Sequence, residues 1–189
     1  MHHLLTSFLR SKGIHDDKII ELVCNCFTLK EIKSKSILVD YTAIADAYYF
    51  INKGAVRIFT INSEGAESSR YFAFEGNFVA ALPSFIDQKP AEEYMQTIEK
   101  CELLKISRTN FYKLVETVPT FAKIYTEILE LGFIIAQKRI YGFQGFDALE
   151  KVQWTIKNQP QLLLRISNKM VASYLGISPS TLSRIKSKL

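Results

Sequence analysis

Acidic residues are missing from the end of this chain. Residues 151–189 hold seven lysines and arginines but no aspartate or glutamate, whereas residues 1–150 hold 17 basic and 19 acidic side chains, so the net charge of +5 resides in the last segment. A stretch of one sign either attracts a polyanion, of which nucleic acid is the commonest, or forms a solvated basic face. Cysteine is scarce too: Cys24, Cys26 and Cys101 are odd in number and too few for the disulfide framework of a secreted protein. Cys24 and Cys26 stand two residues apart on an expected helix, where their side chains diverge by about 200°, so ordinary half-buried cysteines are expected rather than a metal or redox pair. The three histidines, His2, His3 and His15, lie near the start without a metal-ligand pattern, so no metal site is expected. Long apolar runs are absent, since charge interrupts "ELGFIIAQKRI" well before the roughly 20 residues that a membrane span needs. The opening "MHHLLTSFLRSKG" has no signal-like core, and a cytoplasmic protein away from membranes is expected. No nucleophile with a neighbouring base is visible, so an enzyme is not expected.

What is present falls into an α+β pattern. With 48% hydrophobic residues over 189 positions, the chain can bury a substantial core. From about Ser36 to Ile106 the segments "SILVDY", "AYYFINKG", "AVRIFTI", "SSRYFAF", "EYMQTIEK" and "CELLKIS" read as short strands rich in β-branched and aromatic residues. Gly54, Gly65 and Gly76 punctuate them at even spacing, which predicts an antiparallel β-roll of jelly-roll type. Helical periodicity flanks the roll, through Ile14, Ile19, Ile20, Leu22 and Val23 before it and "SRTNFYKLV" after it. A long helix then opens at Pro119. On it Ile124, Ile128, Leu131 and Ile135 form one apolar row, and Tyr125, Leu129, Gly132 and Ala136 form a second beside it. Two rows make a stripe wide enough to serve a symmetry mate as well as the helix's own domain, although burial within one subunit would give the same pattern. "YGFQGFD", with Gly142 and Gly145, is the expected hinge at the helix end, and "QLLLRI" is expected to be a connector. The division expected is a roll with N-terminal helices over 1–118, a dimerisation helix over 119–143 and a small all-α unit over 144–189.

The closing stretch "SNKMVASYLGISPSTLSRIKSKL" carries the most specific signal. Ser167 can cap one helix, Val171 and Leu175 face inward, Gly176 suits a left-handed stop, and Ser178 with Pro179 suits the start of a second helix. Leu182, Ile185 and Leu189 give that second helix an apolar face. Ser180, Thr181, Ser183, Arg184, Ser187 and Lys188 point outward, all hydrogen-bond formers or cations suited to phosphates and base edges. Together with Lys169 and Ser178 they make a candidate DNA-binding set in a helix-turn-helix.

Through "YYFINKGAVRIF", "FEGNF" and "ASYLGISPSTLSRI" nearly the whole chain resembles the Crp-Fnr family of bacterial regulators, and the compact closing segment is most similar to the Bacteroidetes subgroup. The resemblance implies a β-roll sensor, a dimer helix and a helix-turn-helix bound to double-stranded DNA, with RNA polymerase a candidate further partner. It also implies an effector pocket around Gly76, Asn77, Phe78, Ala91, Glu92 and Glu93, and a dimer interface through Ile124, Ile128, Leu131 and Ile135. In nucleotide-binding members a glutamate follows the glycine, and an Arg-Ser pair holds the phosphate. Here Asn77 replaces the glutamate, and Ala91 and Glu92 stand where the pair aligns. Losing the arginine and gaining carboxylates implies no tight cyclic AMP binding. The resemblance supplies no cofactor, and with no histidine inside the roll haem is not expected either. On the reading helix the family's Arg-Glu pair aligns with Pro179 and Ser180, leaving Arg184 as the retained cation. The competing expectation is a ligand-sensing domain that regulates a partner protein through its C-terminal helices.

Overall fold

The computed structural model describes residues 2–188. Two N-terminal helices, α1 (His3–Ser11) and α2 (Asp17–Asn25), lead into β1 (Thr28–Ile32), β2 (Ile37–Val39), β3 (Ala47–Lys53), β4 (Val56–Ile61), β5 (Glu67–Ala73) and β6 (Phe78–Val79). Next come α3 (Leu82–Asp87), β7 (Tyr94–Thr97), β8 (Cys101–Ser107), α4 (Arg108–Thr117) and the long α5 (Pro119–Gly145). The chain closes with α6 (Ala148–Asn158), α7 (Pro160–Arg165), α8 (Asn168–Leu175) and α9 (Pro179–Lys186).

The strands form two four-stranded sheets, ordered β1-β8-β3-β6 and β2-β7-β4-β5. The first is antiparallel throughout, with Leu104 of β8 opposite Leu29 on one side and Phe50 on the other. This is the expected antiparallel roll. β3 is an inner strand, and Ala47 to Ile51 are all buried, which explains why "AYYFI" shows no polar alternation. Phe50 meets Phe78 edge-on at 5.0 Å and Phe8 of α1 at 5.7 Å, and Tyr48 stacks on Phe111 of α4 at 4.9 Å. Each such ring contributes about 1.5–3 kcal/mol by leaving water. α4 begins where the Ser107 hydroxyl accepts from the Asn110 amide at 3.2 Å.

The chain divides into two compact units. One contains residues 1–58 and 73–130, and the other contains the outer part of the β4–β5 hairpin, residues 59–72, with residues 131–189. In the first unit a turn is closed by Gly54 at φ +101°, where an added Cβ would lie 2.6 Å from the Cys101 sulfur and 3.0 Å from the Lys100 carbonyl. Gly54→Ala is therefore expected to destabilise this unit by at least about 2 kcal/mol in a denaturant titration, the left-handed backbone and the clash acting together. Inside the same unit Arg57 is buried and donates through Nε and a terminal nitrogen to Gln96 Oε1 at 2.9 and 2.7 Å. Arg57→Met leaves that acceptor unsatisfied and should cost about 1–3 kcal/mol, measured the same way.

Several elements differ from the sequence-based expectation. β1, β6 and α3 were not foreseen. "QLLLRI" is not a connector: with Pro160 in the first turn and Leu162 buried at 1% exposure, it folds as α7. Gly142 and Gly145 do not form a hinge loop either, because both lie within α5, which runs two residues past 143. The break falls at Phe146–Asp147, where Asp147 and Glu150 form a reciprocal capping box at 2.9 and 2.8 Å that starts α6.

Candidate nucleic-acid interface

The four closing helices pack around Val152, Thr155, Leu162, Val171, Ala172, Leu175 and Leu182, each at 1% exposure or less. Local chemistry sets the pair α8 and α9. The Ser167 hydroxyl accepts from the Met170 amide at 3.4 Å, Gly176 stops α8 at φ +66°, and the Ser178 hydroxyl accepts from the Thr181 amide at 3.0 Å. Leu182 fills the core while Ile185 is half-buried, and Leu189, expected on the same face, lies outside the described residues.

Ser180, Ser183, Arg184, Ser187 and Lys188 are exposed on or just after α9, with Thr181 half-exposed, and Lys169 is exposed on α8. The structure thus brings the expected set onto one helix and its neighbour. Not all of these groups are equally free to reach a ligand. Ser178 is engaged as the cap and lies 2.9 Å from Ser180 Oγ and 2.8 Å from Thr181 Oγ1, while Ser187 turns back to donate to the Arg184 carbonyl at 2.9 Å. Two residues were missed from the sequence. Asn168 donates to Ser183 Oγ at 3.2 Å and accepts from Lys186 Nζ at 3.1 Å, and Lys186 also reaches the Leu163 carbonyl at 3.4 Å. Asn168 therefore ties the start of α8 to the middle of α9 and orients a serine and a lysine on the polar face. Only the net positive count of the segment hinted at Lys186. The Asn168 contacts span 15 and 18 residues and leave no periodic trace.

The expected dimer row divides. Ile124 is 2% exposed within the first unit and has no surface to offer, which corrects its assignment: Phe121 and the Phe111–Tyr125 pair, 5.0 Å apart, mark α5's first turns as packed on their own unit. Ile128 is half-buried, whereas Leu131 and Ile135 are exposed at 51% and 43%. Phe133, Ile134, Ile140 and Tyr141 are exposed along the same stretch of α5.

The six candidate effector residues differ in their exposure. Phe78 belongs to the aromatic core, touching Phe50, Phe8 and Tyr48 within 5.8 Å, so it is not an accessible pocket residue. Ala91 is 2% exposed, and both its backbone groups pair with the Thr42–Ala43 turn at 2.8 Å, which likewise removes it from a ligand's reach. Gly76 takes φ +78° and donates to the Ile51 carbonyl at 2.9 Å, Asn77 and Glu92 are exposed, and Glu93 is buried at 8%. Among the described residues, no cluster of histidine, cysteine, aspartate and glutamate has the makings of a metal site. No helix among them is long and apolar enough to cross a membrane.

Known proteins agree with this architecture. Residues 29–118 match the cyclic nucleotide-binding domain family. The cAMP-activated global transcriptional regulator CRP of Haemophilus influenzae is 20% identical over 179 residues, covering 89% of this chain and 80% of that protein. Among solved structures, the c-di-GMP responsive global regulator CLP of Xanthomonas campestris matches with a TM-score of 0.71 at 19% identity, over 92% of this chain and 91% of that one. FixK2 from Bradyrhizobium japonicum matches with a TM-score of 0.75 at 17% identity, over 86% and 84%. A β-roll followed by a long helix and a closing pair of short helices is the fold that this chain shares with them. Over 89% and 92% of its length the chain is similar to these two regulators, CRP and CLP.

Proposed function

We propose that the protein is a transcription regulator that binds double-stranded DNA as a homodimer, with α9 as its reading helix. The observation that carries this reading is the exposed row Ser180, Ser183 and Arg184 on a capped helix, with Lys188 just beyond it, within a segment that holds seven cations and no aspartate or glutamate. Arg184 suits either a bidentate contact to guanine or a phosphate. Residues 1–118 act as the sensor, 119–143 as the dimerisation helix and 144–189 as the DNA-binding part. Leu131 and Ile135, with the exposed Phe133 and Ile134, supply the apolar contact between copies, which sets two reading helices about 34 to 36 Å apart on successive major grooves. Placement in the cytoplasm and the absence of catalysis follow from this role, and RNA polymerase is a candidate partner at the promoter.

The test is a duplex pool that the protein enriches from random-sequence DNA. Binding whose affinity falls steeply with salt supports the regulator, whereas recovery of no duplex at low salt contradicts it.

Cyclic AMP is not the effector in this proposal. Asn77 offers no carboxylate to a ribose, Ala91 offers no guanidinium to a phosphate, and the exposed Glu92 beside it brings negative charge. Calorimetric titration with cyclic AMP should give no saturable heat up to about 1 mM. A micromolar binding curve would reverse this assignment.

A further inference from the structure

Within the second compact unit, the outer part of the β4–β5 hairpin packs against α8. Ser173 Oγ of α8 accepts from the Ser69 amide at 3.2 Å and shares a hydrogen bond with the Ser69 hydroxyl at 2.9 Å. Ser69 is 3% exposed. The next residue of α8, Tyr174, meets Phe72 edge-on at 5.6 Å and Phe143 of α5 at 5.8 Å. Arg139 of α5 places its guanidinium 4.9 Å above the Tyr174 ring and donates to the Arg70 carbonyl, so one cation bridges hairpin and α8. Tyr174 in turn donates through its hydroxyl to Gln159 Oε1 at 3.1 Å, which attaches the α6–α7 junction to the same cluster. Burial raises the Tyr71 phenol above its ordinary value, with neighbouring Tyr174 adding to the effect, as a closed contact requires. With these contacts in place, Ser180, Ser183, Arg184 and Lys188 remain exposed.

We propose that Ser173, Tyr174 and Arg139 are positioning residues for DNA binding: by fixing α8 against the hairpin they preset α9 for the duplex. The proposal rests on the regulator reading above. Its physical content is a population term. If the presented orientation is held only part of the time, apparent affinity falls by that fraction, and every contact that holds it restores affinity without touching DNA. β5 runs from Ser69 through Ala73 into Glu75 and Gly76, and the Glu75 carboxylate accepts from the Gly54 amide at 2.7 Å.

The experiment uses the full-length protein with Cys26→Ser, into which Ser69→Cys and Ser173→Cys are introduced, and the DNA pool enriched by the wild-type protein. Oxidation fixes the contact covalently, and the oxidised form should bind the pool about threefold or more tightly than the same protein reduced. In parallel, Arg139→Gln with Ser173→Ala should weaken binding about fivefold at an unchanged salt slope, and Arg139→Lys should recover part of the loss. A merely structural role would shift the melting midpoint but not make affinity follow the disulfide. Equal affinity in the oxidised and reduced forms, or weaker binding when oxidised, overturns the proposal. If the disulfide does not form, wild-type affinity in the Arg139→Gln, Ser173→Ala protein overturns it by itself. Failure of the regulator reading is separately visible, because the wild-type protein would then enrich no duplex.

Discussion

Replacing Arg184 and Lys188 together by alanine removes four cations from the proposed homodimer, so it should lower affinity for the enriched duplex by about 100-fold or more at physiological salt and reduce the slope of log K against log salt by about three to four. Both side chains are exposed, so neither substitution opens the core, and the melting midpoint should stay within a degree or so of wild type. The two parts of the result separate two roles. A cation on a phosphate affects all sequences alike through the salt term, whereas a bidentate contact to guanine adds about 1–3 kcal/mol at one base position. If Arg184→Ala alone relaxes the preference at a single position of the enriched pool, it reads a base. If it weakens every sequence equally, it holds the backbone. Unchanged binding at every salt concentration would place the interface elsewhere.

An effect of similar or larger size is expected from Leu131→Glu with Ile135→Glu. These side chains are 51% and 43% exposed on α5, so charge there costs the isolated chain little and costs a packed dimer several kcal/mol. Sedimentation should show a dimer for the wild type and a monomer for the variant. Duplex affinity should fall by about a hundredfold or more, because the second reading helix then no longer binds as a tethered partner. Ile124→Glu should behave differently. It places a carboxylate in the interior of the first unit, so its signature is loss of folding rather than loss of dimer. A wild-type protein that sediments as a monomer at micromolar concentration would remove the basis of this comparison and of the two-groove arrangement.

Features set by nearest neighbours were legible in the sequence. Ser107, Ser167 and Ser178 cap the helices that follow them, and Gly176 adopts the left-handed stop, because each needs only one side chain and the next three backbone amides. Pro119 marks the start of α5 for the same reason. β1 was hidden because Lys30 and Glu31 interrupt its apolar pattern, and an edge strand paired only with β8 tolerates them. β6 is two residues long, too short for any period to register. α7 was obscured by its brevity, and the low helix propensity of glycine made Gly142 and Gly145 read as breakers although both lie within α5.

The same distinction governs the site. The outward row of α9 could be assigned from spacing alone, but how its members are held could not. Asn168 bridging to Ser183 and Lys186 and the Ser69–Ser173 pair, separated by 104 residues, are tertiary contacts that periodicity does not encode. The apolar rows of α5 had the converse problem. Ile124 and Leu131 carry the same sequence signal, and only the structure shows that the first is enclosed while the second is bare.

Backbone hydrogen exchange with and without the enriched duplex tests the central claim most directly. Slowed exchange concentrated in residues 167–188, above all in the first turn of α9, is the predicted result. Slowing confined to the roll, with these amides exchanging as they do in the free protein, would contradict it.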